Sequence, residues 1–387
     1  MSQRPLRPAR AVAEPLSAAP PSPPQALRLS VVLPTYNERD NVGPIVAELL
    51  PLERLFDLEI LFVDDDSADG TAEVVRELAH RHPPVRLIRR VGRAGLSSAI
   101  KEGILDATGD LVVVMDCDGQ HEPATISAAV ATLQRTGADL VVGSRFHPEA
   151  RIHGLSERRE RNSTWANAVA RFSLPRYRQL TDYMSGFFVL RPESALPYVR
   201  RVDVNGFKFL YELLSLCGGR LRVEEVPLRF QPRIAGDSKL DLAIVWDLGV
   251  SILHTLIWRS VPRRAISFAL VGASGVVVQL AVSQALMLLG LPFGQALPPA
   301  VLAAATSNYL INNSLTFRFQ RQSGLALLRG LLKFLVVASL PVLANVGVAS
   351  AFYNLVAEDT LWAQLAGIVV VFVWNYAASS RFVWNSP

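Results

Sequence analysis

The residues that could do chemistry in this chain are carboxylates at the ends of apolar runs. Asp116 and Asp118 directly follow the run Leu111–Met115, with Gln120 and His121 just beyond. Two carboxylates and an amide oxygen in one turn are hard donors, suited to Mg²⁺ or Mn²⁺ bridging a diphosphate. His121 is a poorer ligand for a hard cation and is set aside. Asp64-Asp65-Asp66 closes another apolar run, where a carboxylate can meet a ribose hydroxyl or a base. The first run ends in Pro34-Thr35-Tyr36-Asn37-Glu38. No GxGxxG follows it and no Walker A sequence occurs, which disfavours nicotinamide, flavin and P-loop chemistry. Cys117 and Cys217 have the spacing of neither a disulfide framework nor a metal site.

These carboxylates need elements to hold them. Strands are predicted at Leu29–Pro34, Leu58–Val63, Val85–Arg89, Leu111–Met115 and Leu140–Gly143, with helices near 41–50, 70–81 and 96–108. Short continuous apolar strands separated by helices indicate βαβ units and a mostly parallel sheet covered on both faces. Ligands bind such sheets at the carboxyl ends of the strands, where the acidic clusters fall. Residues 1–27 hold seven prolines and no apolar run, and read as a disordered tail rather than a signal peptide.

Half of the 387 residues are hydrophobic, only 19% are charged, and the mean hydropathy is +0.26. The excess is concentrated. No Asp, Glu, Lys or Arg lies between Arg264 and Arg318, a stretch interrupted at Gly290-Leu291-Pro292-Phe293-Gly294. It is long enough for two membrane spans, and Phe334–Ala357 and Thr360–Ser380 supply two more. Arg259, Arg263, Arg264, Arg318, Arg321, Arg329, Lys333 and Arg381 flank one side of these four spans. The other side carries only Glu358 and Asp359, so the positive-inside rule puts both termini and the α/β domain in the cytoplasm. The net charge of +5 is thereby explained by topology, without nucleic acid. Residues 240–258 have an amphipathic pattern with Asp247, Ser251 and His254 on one face, open to packing on the α/β domain or lying in the membrane interface.

In order along the chain, VVLPTYNE, VDDDSADGT, MDCDGQH, VVGSRF, MSGFF and RIAGDSK resemble the dolichol-phosphate mannosyltransferase group of glycosyltransferase family 2. The C-terminal part, with NYLINNSLTFRF, resembles GtrA-type membrane domains. The resemblance implies an α/β GT-A (Rossmann-like) catalytic domain followed by an all-α membrane domain of four transmembrane helices. The boundaries expected are 28–239 for the first, 240–264 for an interface helix and connector, and 265–387 for the second. It also implies a divalent cation, a sugar nucleotide such as GDP-mannose, and transfer to a polyprenyl phosphate with inversion. By the same resemblance Pro34, Tyr36, Glu38, Val63, Asp65, Asp116, Cys117, Asp118, Gln120, Arg233 and Lys239 bind the donor. Asp116, Asp118 and Gln120 hold the metal, Asp118 and Arg145 act in catalysis, and Arg145, Arg159 and Ser163 take the acceptor phosphate. The group usually has Asn where this chain has Asp66, and Pro where it has Tyr183. Asp182, just before Tyr183, could orient a sugar hydroxyl or cap a helix.

Alternatives are the same chemistry with UDP-glucose, and a carrier-lipid translocator or scaffold with an inactive transferase domain. The intact Asp116, Asp118 and Gln120 argue against inactivity, and the lack of a Q-x-x-R-W stretch argues against a processive synthase. The charge pattern makes a direct prediction. In intact cells, an impermeant thiol reagent added outside labels a cysteine placed at 294 or 358 and spares one at 321; the reverse pattern would invert the topology.

Overall fold

A computed structural model describes residues 26–92, 95–120, 122–152, 157–204, 208–230, 242–257, 259–355 and 360–385. The N-terminal strands are β1 (Arg28–Thr35), β2 (Asp57–Asp64), β3 (Val85–Arg89), β4 (Leu111–Val114) and β5 (Leu140–Ser144). Beyond them come the short β6 (Arg151–Ile152), then β7 (Phe188–Leu190), β8 (Val223–Pro227) and β9 (Arg229–Phe230). Seven of these form one sheet in the order β3-β2-β1-β4-β7-β5-β8, while β6 and β9 pair separately. All pairings in the large sheet are parallel except those of β7, which is antiparallel to both β4 and β5.

The central strands are apolar on both faces because helices cover both. On one face Val32, Val112, Val142 and Phe188 pack with α3 (Leu96–Asp106), α6 (Pro192–Val199) and α7 (Phe209–Cys217). On the other, Val31, Val113, Val141 and Val189 pack with α1 (Arg39–Leu49), α2 (Thr71–Arg81) and α4 (Ala124–Thr136). β7, β8, β6 and β9 were absent from the sequence expectation. β6, β7 and β9 are too short for periodicity to mark them, and β8 carries Glu224 and Glu225 among its five residues.

α5 (Glu157–Ser173) and α8 (Leu242–Leu256) follow the same rule of covering apolar surface. Leu248 and Ile252 of α8 join the α/β core, while its Val245 is exposed. The rest is helical: α9 (Arg263–Leu288), α10 (Phe293–Ser314), α11 (Gly324–Leu355) and α12 (Thr360–Ala378). Among the described residues only α9 is long and apolar enough to cross a membrane. α10 is interrupted by Gln295, Asn308, Asn312 and Asn313, and α11 begins ten residues before Phe334, so that it includes Arg329 and Lys333.

The helical region is joined at one end by aromatic stacking and polar contacts. Trp384 stacks on Phe317 with ring centroids 4.2 Å apart and donates from Nε1 to Asn313 Oδ1 at 3.1 Å. Asn313 also exchanges two hydrogen bonds with the Gln322 backbone, at 2.9 and 3.0 Å. Amide and indole groups away from water need such partners. Trp384 is 3% exposed, so Trp384→Ala removes a filled aromatic site and should cost about 3 kcal/mol. Thermal unfolding of the detergent-solubilised chain would read this as a lowered midpoint, whereas Trp374→Ala, at a half-exposed position, should leave the midpoint nearly unchanged.

Candidate active site

The carboxyl ends of β1 and β2 are stitched into one rim. Asn37, in the left-handed region at φ 58°, donates from its backbone to Ser67 Oγ at 2.9 Å and accepts from Ala68 N at 3.2 Å. Glu38 N donates to Thr71 Oγ1 and Arg39 N to Asp69 Oδ2, at 3.0 and 3.1 Å. This rim presents Tyr36, which is 55% exposed, and Glu38, whose carboxylate accepts from Asn41 Nδ2 at 2.5 Å. Pro34 and Val63 lie in the strands behind it.

The three successive aspartates do three different things. Asp64 is fully buried and accepts from Ser67 N (3.0 Å), Ser67 Oγ (2.5 Å) and Thr35 Oγ1 (3.3 Å). Asp65 receives Gly95 N at 2.7 Å and pairs with the buried Arg90 at 2.5 Å. Burial pushes the Asp65 carboxyl above its ordinary value, while Gly95 and Arg90 pull the other way. Asp66, also left-handed at φ 54°, pairs with Arg89 at 2.6 Å. The negative charge it adds, where the resembled group has Asn, is thus balanced within the protein.

Beyond β4, Asp118 is 6% exposed and accepts from Gln120 N at 3.1 Å through Oδ1. Asp116 lies against Gly186, where a Cβ would come 2.5 Å from its Oδ2, so that only glycine leaves the carboxylate in place. Between the two, burial pushes the Cys117 thiol well up, and Glu38, Asp118 and Asp116 push it the same way. That shared negative field suits a divalent cation. Among the described residues no group of three His, Cys, Asp or Glu side chains converges as a metal cage. A cation here would take oxygens from Asp116, Asp118 and Gln120, with the rest of its shell filled by ligand and water.

Within electrostatic reach of Asp116 the site is cationic. Arg145, after β5, makes a two-pronged pair with the fully buried Asp182, Nε–Oδ2 at 2.7 Å and Nη2–Oδ1 at 3.0 Å. Burial opposes the Arg145 charge, but Asp182 and Asp116 outweigh it and hold the guanidinium more firmly protonated than usual. Asp182 also accepts from Met184 N at 3.1 Å, and therefore positions Arg145 and its own turn rather than a sugar hydroxyl or a helix end. Its neighbours are held in turn by Glu225, which accepts from Thr181 N and Asp182 N at 2.8 and 3.0 Å, and by Asn167 of α5, which accepts from Tyr183 N at 2.9 Å.

The side chain that sequence reasoning missed is Lys208, at the N-terminus of α7. It lies within electrostatic reach of Arg145, Asp182 and Asp116. Burial pushes its ammonium below the ordinary value and Arg145 adds to this, against the pull of the two aspartates. A compositional signal was present: among 39 basic residues the lysines are only Lys101, Lys208, Lys239 and Lys333. Arg159 and Ser163 fall on α5, but their side chains lie outside the described residues, as do Arg233 and Lys239 entirely.

The sequence matches the glycosyl transferase family 2 domain over residues 30–195, and the GtrA/DPMS transmembrane domain over 267–384. It is 34% identical over 360 residues to the dolichol-phosphate mannosyltransferase of Pyrococcus furiosus, covering 92% of this chain and 99% of that one. The dolichol-phosphate mannosyltransferase of Saccharomyces cerevisiae is 33% identical over 230 residues, covering 57% of this chain and 84% of the yeast protein. Among solved structures, glucosyl-3-phosphoglycerate synthase of Mycobacterium tuberculosis, in complex with Mn²⁺, UDP and glucosyl-3-phosphoglycerate, overlays with a TM-score of 0.47 at 20% identity. That overlay covers 61% of this chain and 81% of the mycobacterial one.

Lys208 must be protonated to attract an anion, and its pKa lies below that of an ordinary lysine. Binding of a nucleoside diphosphate to the full chain should therefore weaken with rising pH before an ordinary lysine would lose its proton. Calorimetric titrations between about pH 7 and about pH 10 would show this alkaline limb. In Lys208→Arg, whose guanidinium keeps its proton throughout, the limb should disappear.

Proposed function

The chain belongs to the dolichol-phosphate mannosyltransferase family of glycosyltransferases, and on that premise we propose that it transfers mannose from GDP-mannose to a polyprenyl phosphate at the cytoplasmic face of a membrane. The observation that carries this reading is one cluster in which Asp116, two residues before Asp118, lies within electrostatic reach of both Arg145 and Lys208. The carboxylates suit a cation on a diphosphate, and the two basic groups suit the phosphates themselves. Membrane association comes with the GtrA/DPMS domain. We further propose that α9 to α12 are four spans with both termini cytoplasmic, a reading supported by the one-sided distribution of arginine and lysine.

In this reading Pro34, Tyr36, Glu38, Val63 and Asp65 line the nucleoside end, with Cys117 behind the turn that presents Asp116 and Asp118. By the family resemblance Arg233 and Lys239 are assigned to the donor, and Arg159 and Ser163 to the acceptor phosphate with Arg145. A bound Mg²⁺ or Mn²⁺, held by Asp116, Asp118 and Gln120, would supply charge to the departing diphosphate. The protein's own part is positioning. The acceptor phosphate is already largely dianionic near neutral pH, its second pKa being about 6, so no base has to remove a proton. Its oxygen forms a bond to the mannose anomeric carbon from the side opposite the diphosphate, as inversion requires. The bond between that carbon and the diphosphate oxygen breaks, and the electron pair stays with the diphosphate. Lys208 offers a point charge to this oxygen-rich leaving group. Arg145, oriented by Asp182, holds the attacking phosphate in line.

Asp118→Asn keeps shape but removes an anionic donor, so membranes carrying it should transfer labelled mannose from GDP-mannose to polyprenyl phosphate at least about a hundredfold more slowly. EDTA should silence the unaltered protein, and Mg²⁺ or Mn²⁺ should restore it. Full activity in EDTA would overturn the metal assignment. Glycolipid formation from UDP-glucose but not GDP-mannose would overturn the donor.

A further inference from the structure

Arg263, the first residue of α9, is 8% exposed and lies amid acidic groups from three parts of the chain. Its guanidinium is 3.8 Å from Asp203 and 4.0 Å from Glu212, which bracket Lys208 in sequence. It is also 3.5 Å from Asp247 and hydrogen-bonded to Ser251 Oγ, both on α8. Asp247 is in turn 3.8 Å from Arg318, just beyond α10. Glu212, 3% exposed, pairs directly with Arg259, whose Nη1 donates to Ser215 Oγ at 3.0 Å, one turn further along α7. The two ends of Glu212 therefore do different work. Its backbone N–H donates to the Lys208 carbonyl at 3.1 Å, while its carboxylate is held by arginines that lead into and begin α9.

From this geometry we infer that Arg263 and Glu212 are positioning residues: they lock the first membrane-domain helix to the segment carrying Lys208 and so set where its ammonium stands in the cleft. The inference rests on the proposed role of Lys208 toward the diphosphate. It gives the helical region a part in the site beyond anchoring the chain. Burial makes the joint stiff. A charge buried among fixed opposite charges cannot shift without leaving one unpaired. Burial, then Arg259 and Arg263, push the imidazole of the nearby His254 below its usual value, against the pull of Glu212 and Asp203.

A double-mutant cycle on the full chain in membranes tests this, with mannosyl transfer from GDP-mannose as the readout. Lys208→Met and Arg263→Met should each lower kcat about tenfold or more, because small misplacements of a positioning group are costly in rate. The double variant should be no slower than Lys208→Met alone, since a lysine that is absent cannot be misplaced. Arg263→Lys should recover part of the rate. Multiplicative losses, or an Arg263→Met protein with full activity, would overturn the inference. If Arg263→Met fails to accumulate in membranes, Asp203→Asn replaces it in the same cycle, with the same coupled result expected and multiplicative losses or full activity again fatal. Lys208→Met with normal transfer would instead refute the role given to Lys208 in the proposed function, which separates the two failures.

Discussion

The assembly of the cleft depends on one strand that runs the wrong way. β7 lies between β4 and β5 and is antiparallel to both, so its entering end sits at the carboxyl ends of its two neighbours. The loop 181–187 is thereby drawn across the place where β4 presents Asp116 and β5 presents Arg145. Gly186 meets the first and Asp182 grips the second. A parallel strand in that position would bring its entering loop to the amino ends of its neighbours, and Asp116 and Arg145 would have no common support. Ser185 reinforces the arrangement by donating to the Gly143 carbonyl at 2.6 Å, in the strand that leads to Arg145.

Charge in the cleft is divided between groups the protein neutralises itself and groups whose field is directed at a ligand. Asp64 and Asp66 belong to the first class, tied to a turn and to Arg89. Asp116, Asp118 and Glu38 together place a negative field at Cys117, while Arg145 and Lys208 lie within electrostatic reach of Asp116. In the reaction we propose, a cation and an anionic diphosphate entering together would offset the cost of holding Asp116, Asp118 and Glu38 close, and an acceptor that arrives already ionised would need no general base.

The helical region follows a different physics. Where apolar burial drives little, polar partners and close packing join helices. Trp246 Nε1 donates to Ser267 Oγ, Ser267 meets Thr316, and Thr316 meets Asn312, at 2.8, 2.7 and 2.7 Å. This chain of contacts crosses from α8 through α9 to α10. It continues the buried charges around Arg263, so the α/β domain and the helices meet through a polar seam rather than a flexible tether. The ends of α10 and α12 are joined as well, since Phe317, just beyond the first, stacks on Trp384, beyond the second.

Much was legible in the sequence because it was local. The strands that hold Tyr36, Asp65 and Asp116 are continuous apolar runs ending in polar turns, and such runs are readable without knowing what packs on them. The ordered motifs led to the family and to the list of candidate residues, and the uncharged stretch announced the membrane region. What the sequence could not specify were relations between distant segments. β7 has three residues, and its direction is set by how the chain is threaded between β4 and β5 rather than by any local preference. Asp182 reads equally well as a cap or a sugar ligand until Arg145 is found against it, 37 residues away in the chain. Lys208 reads as an ordinary basic residue before an apolar helix until the fold turns it toward Asp116 and Asp182. The joint at Arg263 draws on the polar face of α8, Asp247 and Ser251, which the sequence marks, and on Asp203 and Glu212, which it does not. Residue types and runs are determined by sequence alone; which charges share a cleft depends on strand order and helix docking, and only tertiary structure decides those.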